Sequence, residues 1–516
     1  MNALLSSPLG KAATAGALGL LWLTTAWRLG PLWSSRPEYA FGWAGPVLCA
    51  VLLWERWRSR PAPAPPAHSG WGWAGLFLCL GGLLWAKLLL EVAPILRPAA
   101  WALAGCMAGV LGSLAWLAGG GPWLRHLAFP LVLLLFFLPW PTRLEQWVMQ
   151  HLVHFNVQWV IHTLGILGIP ALARGNLLEL EVGGVSVDEA CSGIRSLQAT
   201  LVAALFLGEL GRLPAGRRLK LLGASLVVAM AANFLRTLGL AWLAARQGPA
   251  AVQSWHDPAG YGVLILNFLA LLGLMHWLST PRPVPPAVPM AGSREMPRLP
   301  GSAVWILGLS VLGSEVGMWA WFARQEKMTA PTTWRIEWPE QQPGFRRLPL
   351  GPHVQTMLGY DEGSMAAWTT AQGARIQAVW LRWKPSAWRP SMARAAMAQG
   401  HSPTVCLPAV GMELLREGPP VMIPARGQEW PCQNYLFDDR GRSVYVYVCL
   451  WRDRPDLVNY QVNKRAMLRE IWRALRRGAR PLRTEQRLIM ASVHGARSEG
   501  EARAWLAAEW ERWVKE

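Results

Sequence analysis

Cysteine is scarce and follows no pattern. The 516-residue chain holds seven: Cys49, Cys79 and Cys106 in apolar runs, Cys191 ahead of another, and Cys406, Cys432 and Cys449 in the last third. They make no disulfide framework and no CxxC pair of metal-ligand spacing, which excludes a disulfide-stapled miniature and a zinc ribbon. No metal and no cofactor are expected. Acidic residues are also few, 31 against 50 Lys and Arg, and the formal net charge is +19. In a soluble chain that excess would point to nucleic acid. Here much of the arginine sits in loops between apolar runs, where it orients helices, so no nucleic-acid partner is expected. The first apolar run lacks a small-residue cleavage site and is followed by many more. It reads as a retained span rather than a signal peptide. No internal repeat is visible, and few charges lie within the apolar runs (Lys87, Glu209, Arg236 and Glu315). Both absences count against a transporter.

What is present is apolar surface. Hydrophobic residues make up 52% of the chain and the mean hydropathy is +0.20, the average of a membrane half and a soluble half. Tryptophan is abundant, with 33 copies, many flanking apolar runs as an interfacial belt would. Runs suited to spanning helices occur at about 12–27, 39–54, 71–90, 99–118, 127–140, 194–210, 219–244, 258–278 and 303–323. Several fall below the ~20 residues that a bilayer core needs, so their ends extend into the flanks. The expected fold is an α-helical polytopic membrane protein of about nine spans with a C-terminal α+β soluble domain. Residues 1–280 form the membrane domain, 281–326 a Pro-rich linker and the last span, and 327–516 the soluble domain.

Between 141 and 169 the pattern changes. Leu144, Trp147, Val148, Leu152, Phe155 and Trp159 share one helical face, away from Arg143, Gln146, Gln150, His154 and Gln158. This predicts an amphipathic helix lying on the membrane, with a tenth span over 152–170 as the alternative. Residues 178–187 alternate apolar and polar on both sides of Gly183-Gly184, a short β-hairpin. The hairpin delivers the chain to Cys191. In the soluble part, 374–383 and 443–448 read as strands, and 464–478 and 500–514 as amphipathic helices.

Charge orients the spans. Loops 55–70, 119–126, 211–220 and 281–300 carry eleven Arg and Lys; loops 28–38, 91–98, 141–190 and 245–257 carry six. The first set is expected on the cytoplasmic side. Cys191 then stands at the outer end of the 194–210 helix. A helix entering from the cytoplasm near Leu219 lifts Arg236 by about 26 Å, into the outer leaflet. His256 follows in the next outer loop. Each residue alone has a plainer reading: a buried small residue, a snorkelling arginine, and a surface histidine ahead of a helix capped by Asp257 with Pro258 at its first position. Together they are a nucleophile, a cation and a base on one membrane face. A cysteine before a helix meets unpaired N–H groups and the positive end of the dipole, which favour thiolate. Asp188 and Glu189 oppose this, so activation requires a cation.

Glu189-Ala190-Cys191-Ser192-Gly193-Ile194-Arg195-Ser196, then Asn233-Phe234-Leu235-Arg236, then His256-Asp257-Pro258-Ala259-Gly260 resemble, in this order, the motif set of the exosortase/archaeosortase family, over roughly residues 20–280. The resemblance implies a multi-pass inner-membrane cysteine transpeptidase or protease with its active site facing the periplasm. Its partners would be exported proteins bearing a C-terminal sorting signal (a Pro-Glu-Pro-type motif, a transmembrane helix and a basic tail), membrane lipid, and a cell-surface or exopolysaccharide acceptor. Carried over, Cys191 is the nucleophile, Arg236 the orienting cation and His256 the general acid/base, with Arg195, Asn233 and Asp257 in support. Gly400-His401-Ser402-Pro403-Thr404-Val405-Cys406-Leu407-Pro408 is similar to the signature of a periplasmic domain found beside exosortases. His401 and Cys406 are candidates for a second reactive pair, and Cys432 and Cys449 for a disulfide. The competing expectation is a non-catalytic membrane scaffold or exopolysaccharide-export component with a periplasmic binding domain.

Overall fold

The computed structural model describes residues 8–34, 37–64, 69–94, 96–174, 177–180, 183–186, 193–279, 299–326, 334–351, 354–355, 358–384, 403–409, 411–425, 428–452, 469, 471–473, 475–476 and 485–515. Cys191, Asp188, Glu189, His401 and the linker 281–298 lie outside them. The chain divides into two compact units, one built from residues 1–33, 38–90 and 96–318, the other from 34–37, 91–95 and 319–516.

The first unit is helical. In order it holds α1 (Pro8–Trp33), α2 (Ala44–Arg58), α3 (Ser69–Val92), α4 (Arg97–Leu133), α5 (Thr142–Ile166), α6 (Ile194–Leu210), α7 (Ala215–Gln247), α8 (Pro249–Leu278) and α9 (Gly301–Glu326). Among the described residues, five stretches are long and apolar enough to cross a membrane: Ser69–Val92, Arg97–Phe137, Ala215–Gln247, Ser254–Leu278 and Gly301–Ala323. Helices α2 and α6, at 15 and 17 residues, fall short of a bilayer core. Long apolar side chains such as Trp71, Leu78, Ile265 and Trp305 face outward, as they do where lipid is the solvent. Within α4 two helices meet across a kink, and the run at 127–140 begins in the second arm, separate from the run at 99–118 as expected. The chain bends at Gly120 (φ 69°), and a Cβ at Gly112 would sit 3.2 Å from Leu124, so the arms pack on each other.

Helix α5 presents one face to the protein and keeps the predicted apolar stripe outward. Val153, Asn156, Val157, Val160 and Leu164 are buried, and they pack with Ala241 and Ala244 of α7. Leu144, Trp147, Phe155 and Trp159, predicted to share the apolar face, are exposed. The predicted stripe is therefore the outward one, and a narrower stripe of β-branched residues makes the protein contact. After α5 come three antiparallel strands, β1 (Ala171–Arg174), β2 (Leu177–Leu180) and β3 (Gly183–Ser186). Leu180 pairs with Gly183, so Gly183 and Gly184 stand in β3 rather than at the expected Gly-Gly turn. Leu178 and Leu180 join the α5–α7 core, and β3 packs against α8.

Charges inside the helical unit are paired. Glu209 is 2% exposed and is clasped by Arg56 and Arg218, tying α6 to α2 and α7. Fully buried Lys87 donates to Glu315 at 2.8 Å, and Arg28 reaches the other oxygen at 2.7 Å, joining α3, α9 and α1. Arg97 pairs with Glu145, which also accepts from the Tyr39 hydroxyl at 2.7 Å. Three of the four charges noticed in the apolar runs thus hold helices together.

The second unit is an antiparallel sheet in the order β5-β6-β7-β12-β11-β10-β8. Its strands are β5 (Arg346–Leu348), β6 (Glu362–Thr369), β7 (Arg375–Trp383), β8 (Glu413–Glu417), β10 (Gln428–Asp438), β11 (Ser443–Arg452) and β12 (Gln486–His494). A further strand, β9 (Val421–Ala425), pairs with β10, and β4 (Arg335–Ile336) pairs with β13 (Val514–Lys515). Both predicted strands are present. Strand β11 shows why the sheet is buried on both faces. Tyr445, Tyr447 and Cys449 enter one core, and Val444, Val446, Val448 and Leu450 enter the other. The first core is closed by helix α11 (Glu499–Trp513), close to the predicted 500–514. Ser498 caps α11 by accepting from the Glu501 N–H.

Buried Trp368, Trp430, Trp510 and Trp513 gather in that core, so the tryptophan excess is shared between an outward-facing helical set and a soluble core. Cys432 and Cys449 lie opposite each other on β10 and β11 and are disulfide-bonded, which leaves Cys406 as the third. Cys406 falls in the short helix α10 (Pro403–Ala409), and its proposed partner His401 is not described.

A chain of charges crosses this sheet. Arg382 donates to Glu362 at 2.9 Å and to Glu485 at 2.7 Å, and Glu485 is also bound by Arg487. Burial raises the Glu485 carboxyl, but the hydrogen bonds from Arg382 and Arg487 outweigh it and hold the group below its ordinary value. A depressed carboxylate contributes stability above its unfolded pKa, which is lost as pH falls through the folded one. We therefore expect Glu485→Gln to destabilise this unit by about 2 kcal/mol at neutral pH. The difference from the native chain should shrink to nothing as pH drops below about 4. The readout is the temperature at which the buried Cys432–Cys449 disulfide of the full-length chain becomes reducible.

Candidate active site

Helices α7 and α8 are joined by one residue, Gly248, whose φ of 85° favours glycine. Pro249 takes the first position of α8, where its missing N–H costs nothing. His256 and Asp257 therefore lie inside α8. The expected outer loop ending in an Asp257 cap with Pro258 at the first position is not formed, because Gly248-Pro249 starts the helix nine residues earlier.

The tight turn brings two of the singled-out residues together. The Arg236 Nη2 donates to the His256 ring Nε2 at 3.1 Å and to the His256 main-chain carbonyl at 3.3 Å. His256 Nδ1 stands 3.0 Å from Asp257 Oδ1. An arginine only donates, so Nε2 is the acceptor and Nδ1 carries the proton that Asp257 receives. The guanidinium rests over Gly260, where a Cβ would lie 3.5 Å from Nη2. The imidazole is 22% exposed and the Asp257 carboxylate 83%, so water reaches this end of the helix pair.

One turn back along α7, Asn233 is 6% exposed and lies against Gly193, the residue that caps α6. A Cβ on Gly193 would be 2.6 Å from the Asn233 amide, and φ there is 80°, so glycine is required twice over. Thr237 donates to the Asn233 carbonyl at 3.0 Å and accepts from Asn156 of α5 at 2.7 Å, which fixes this face of α7. Ser196 returns its hydroxyl to the Gly193 carbonyl at 2.9 Å. A cleft of about 10 Å³, room for one water, opens between Gly193, Asn233, Asn156 and Leu197. Arg195 is exposed on the first turn of α6.

Cys191 lies outside the described residues, in the stretch 187–192 between two anchored ends: Ser186, the last residue of β3, and Gly193. Asp188 and Glu189 fall in the same stretch.

Sequence reasoning missed the polar line inside the helices. Gln198, seven residues beyond Cys191, is 2% exposed, and neither end of its amide meets a partner among the described residues. Thr200 of the same helix accepts from Asn267 of α8 at 3.0 Å. The available signal was the presence of Gln, Thr and Asn in runs otherwise made of Leu, Ala and Val. No group of three or more His, Cys, Asp or Glu suited to a metal ion occurs among the described residues.

Residues 33–273 match the family model described as transmembrane exosortase. Comparison with the curated proteins and with the solved structures found no match. The matched stretch contains Gly193, Asn233, Arg236, His256 and the undescribed Cys191, together with most of the helices fit to cross a membrane. Residues 33–273 are thus a transmembrane exosortase family domain, and the chain that carries them is a multi-pass membrane protein.

Proposed function

We propose that this chain is a membrane cysteine transpeptidase or protease that cuts exported proteins at a C-terminal sorting signal, with Cys191 as nucleophile, His256 as acid/base and Arg236 as the orienting cation. The observation that carries the reading is the Arg236–His256 contact. Two residues distant in sequence, one of them an arginine on an apolar helix, meet at the end of the α7–α8 pair. Asn233 touches Gly193 at that same end, and Cys191 is only two residues from Gly193.

The groups suit acyl transfer. The Cys191 sulfur attacks the carbonyl carbon of the scissile peptide bond, and its proton passes to His256 Nε2 as the attack proceeds. The carbonyl oxygen takes up negative charge, and Arg236 supplies N–H donors to it. A charged oxygen is a better acceptor than an imidazole nitrogen. The Arg236 N–H now on Nε2 therefore moves to the oxyanion and frees Nε2 for the proton. Collapse breaks the C–N bond, His256 returns the proton to the leaving amine, and a thioester remains. An amine on a cell-surface or exopolysaccharide acceptor, or water, then resolves it. Asn233 and Gly193 act as positioning residues. Arg195 is free to meet substrate or the outer membrane surface.

The membrane setting contributes through proximity. A substrate held by its own transmembrane helix presents its cleavage site at a constant depth, which converts an encounter in three dimensions into one in a plane. The basic tail of such a substrate stays cytoplasmic by the rule that orients the enzyme's own loops. The Cys432–Cys449 disulfide of the second unit supports an oxidising, periplasmic side for that part of the chain.

Three substitutions test the reading in cells that express a tagged exported protein with a C-terminal sorting signal, followed by mass. Cys191→Ala is expected to leave the substrate uncut at normal enzyme level; normal processing would remove the enzyme reading altogether. Arg236→Lys keeps the charge but loses the planar fork, and turnover should fall by about 100-fold. Turnover within a factor of two of the native enzyme would reduce Arg236 to a helix anchor. Asp257→Asn keeps an acceptor for Nδ1–H, and the native carboxylate is exposed, so rates should fall by less than about tenfold. A loss as large as that of Cys191→Ala would contradict the assigned tautomer.

A further inference from the structure

Strand β6 has an open edge. Thr370 N–H donates to Ala374 O across the β6–β7 hairpin, and Thr369 N–H donates to Pro343 O on the other side, each at 2.8 Å. Even-numbered main-chain groups of β6 therefore address β7, and odd-numbered ones address β5. Met365 and Ala367 lie opposite Leu348 and Arg346. Strand β5 ends at Leu348, and the next odd residue, Gly363, has no strand beside it among the described residues. Gly363 is exposed, and its N–H and C=O point away from β7 into a groove of about 600 Å³.

The groove has two unlike walls. On one face of the sheet are Trp338, Ser364 and Trp380; on the other are Leu350, Gln355 and Tyr360. A Cβ on Gly363 would come within 2.8 Å of the Tyr360 ring and 2.9 Å of Leu381, so this position keeps an aromatic floor only because it has no side chain. The Trp338 indole N–H is used on Ser364 Oγ at 2.9 Å. The Trp380 indole N–H is buried and meets no acceptor among the described residues. The rim charges are already answered: Glu362 by Arg382 and Lys384, and Arg347 by Glu340. What the groove offers is one main-chain donor–acceptor pair beside apolar and aromatic side chains, which is the pattern that reads a polypeptide strand rather than an anion.

We infer that the edge of β6 at Gly363 binds an extended peptide as an added strand. One peptide residue pairs its N–H and C=O with Gly363. Strand alternation puts that residue's side chain on the Tyr360 face, where an apolar residue packs on the ring that already covers Gly363. The two flanking residues turn toward the Trp338 and Trp380 face. The contact from Glu362 to Ser364 spans about 10 Å of added strand, enough for a short motif and too little for tight binding. This site is separate from the chemistry assigned to Cys191, and Cys191→Ala should leave it unchanged.

The probe is a fluorescein-labelled, blocked heptapeptide of alternating Ser and Thr with Phe at its centre, bound to the full-length protein in detergent and read by anisotropy. Replacing the central Phe by Gly should weaken binding at least tenfold. N-methylation of the central amide, which removes the N–H that Gly363 O accepts, should do the same. N-methylation one residue to either side should have little effect. Gly363→Val should abolish binding while the Cys432–Cys449 disulfide stays resistant to reductant, which reports an intact fold; Gly363→Ala is the milder companion. Failure of the whole central-residue series to bind, an equal response to N-methylation at every position, or stronger binding by a neutral oligosaccharide than by the peptides would overturn the proposal.

Discussion

A guanidinium on an apolar helix has to find acceptors, and the candidate site depends on how Arg236 finds its own. An arginine in a spanning segment costs about 2.5–3.5 kcal/mol by insertion scales. The cost is tolerable where the group snorkels to water or meets a partner. Arg236 does some of each. It stands toward the end of α7 that turns at Gly248, and it rests on the His256 ring and carbonyl of α8. Because arginine has no lone pair to offer, this contact dictates the tautomer of the histidine. The side chain that satisfies the charge is thereby poised with its basic nitrogen held by a donor that a stronger acceptor can draw away.

The other charges of the helical unit show the alternative. Glu209 sits between two arginines, and Lys87 and Arg28 share Glu315. These are carboxylate–cation pairs at the contacts between helices. Breaking one would leave an uncompensated buried charge, at about 3–5 kcal/mol. They fix which helices are neighbours, and their geometry offers no proton to move. Arg236 and His256 differ in kind, since one member of the pair is titratable between neutral base and cation. That contrast separates the residues that hold the bundle from those suited to chemistry within it.

Much of this was legible in the sequence, and the errors have physical causes. The apolar runs located the helices because a membrane helix satisfies its own backbone and must be apolar over its length. The strands at 375–383 and 443–452 showed through β-branched and aromatic residues in alternation. Residues Arg236 and His256 could be named because polar groups stand out in apolar or Pro-rich surroundings. The start of α8 was misplaced because His256-Asp257-Pro258 carries helix-start chemistry, whereas Gly248-Pro249 carries it too and comes first. The protein-facing side of α5 was not foreseen because hydrophobicity measures affinity for protein and for lipid alike. Large Trp and Phe side chains took the outward face, and Val residues with one Asn took the contact. The displaced hairpin turn and the open edge at Gly363 depend on register, which composition does not reveal.

Gly193 is where the local and the long-range constraints meet. Its positive φ lets the chain enter α6 sharply, and its lack of a Cβ lets Asn233 approach from α7. Either demand alone would admit a small compromise; together they leave glycine as the only residue that fits. The consequence reaches the next residues along the chain. A larger side chain would push α7 away from the head of α6 and carry Arg236, one turn on from Asn233, away with it. The glycine of the cysteine motif and the asparagine of the arginine motif therefore belong to one contact. The distance between the two motifs is set by packing at Gly193.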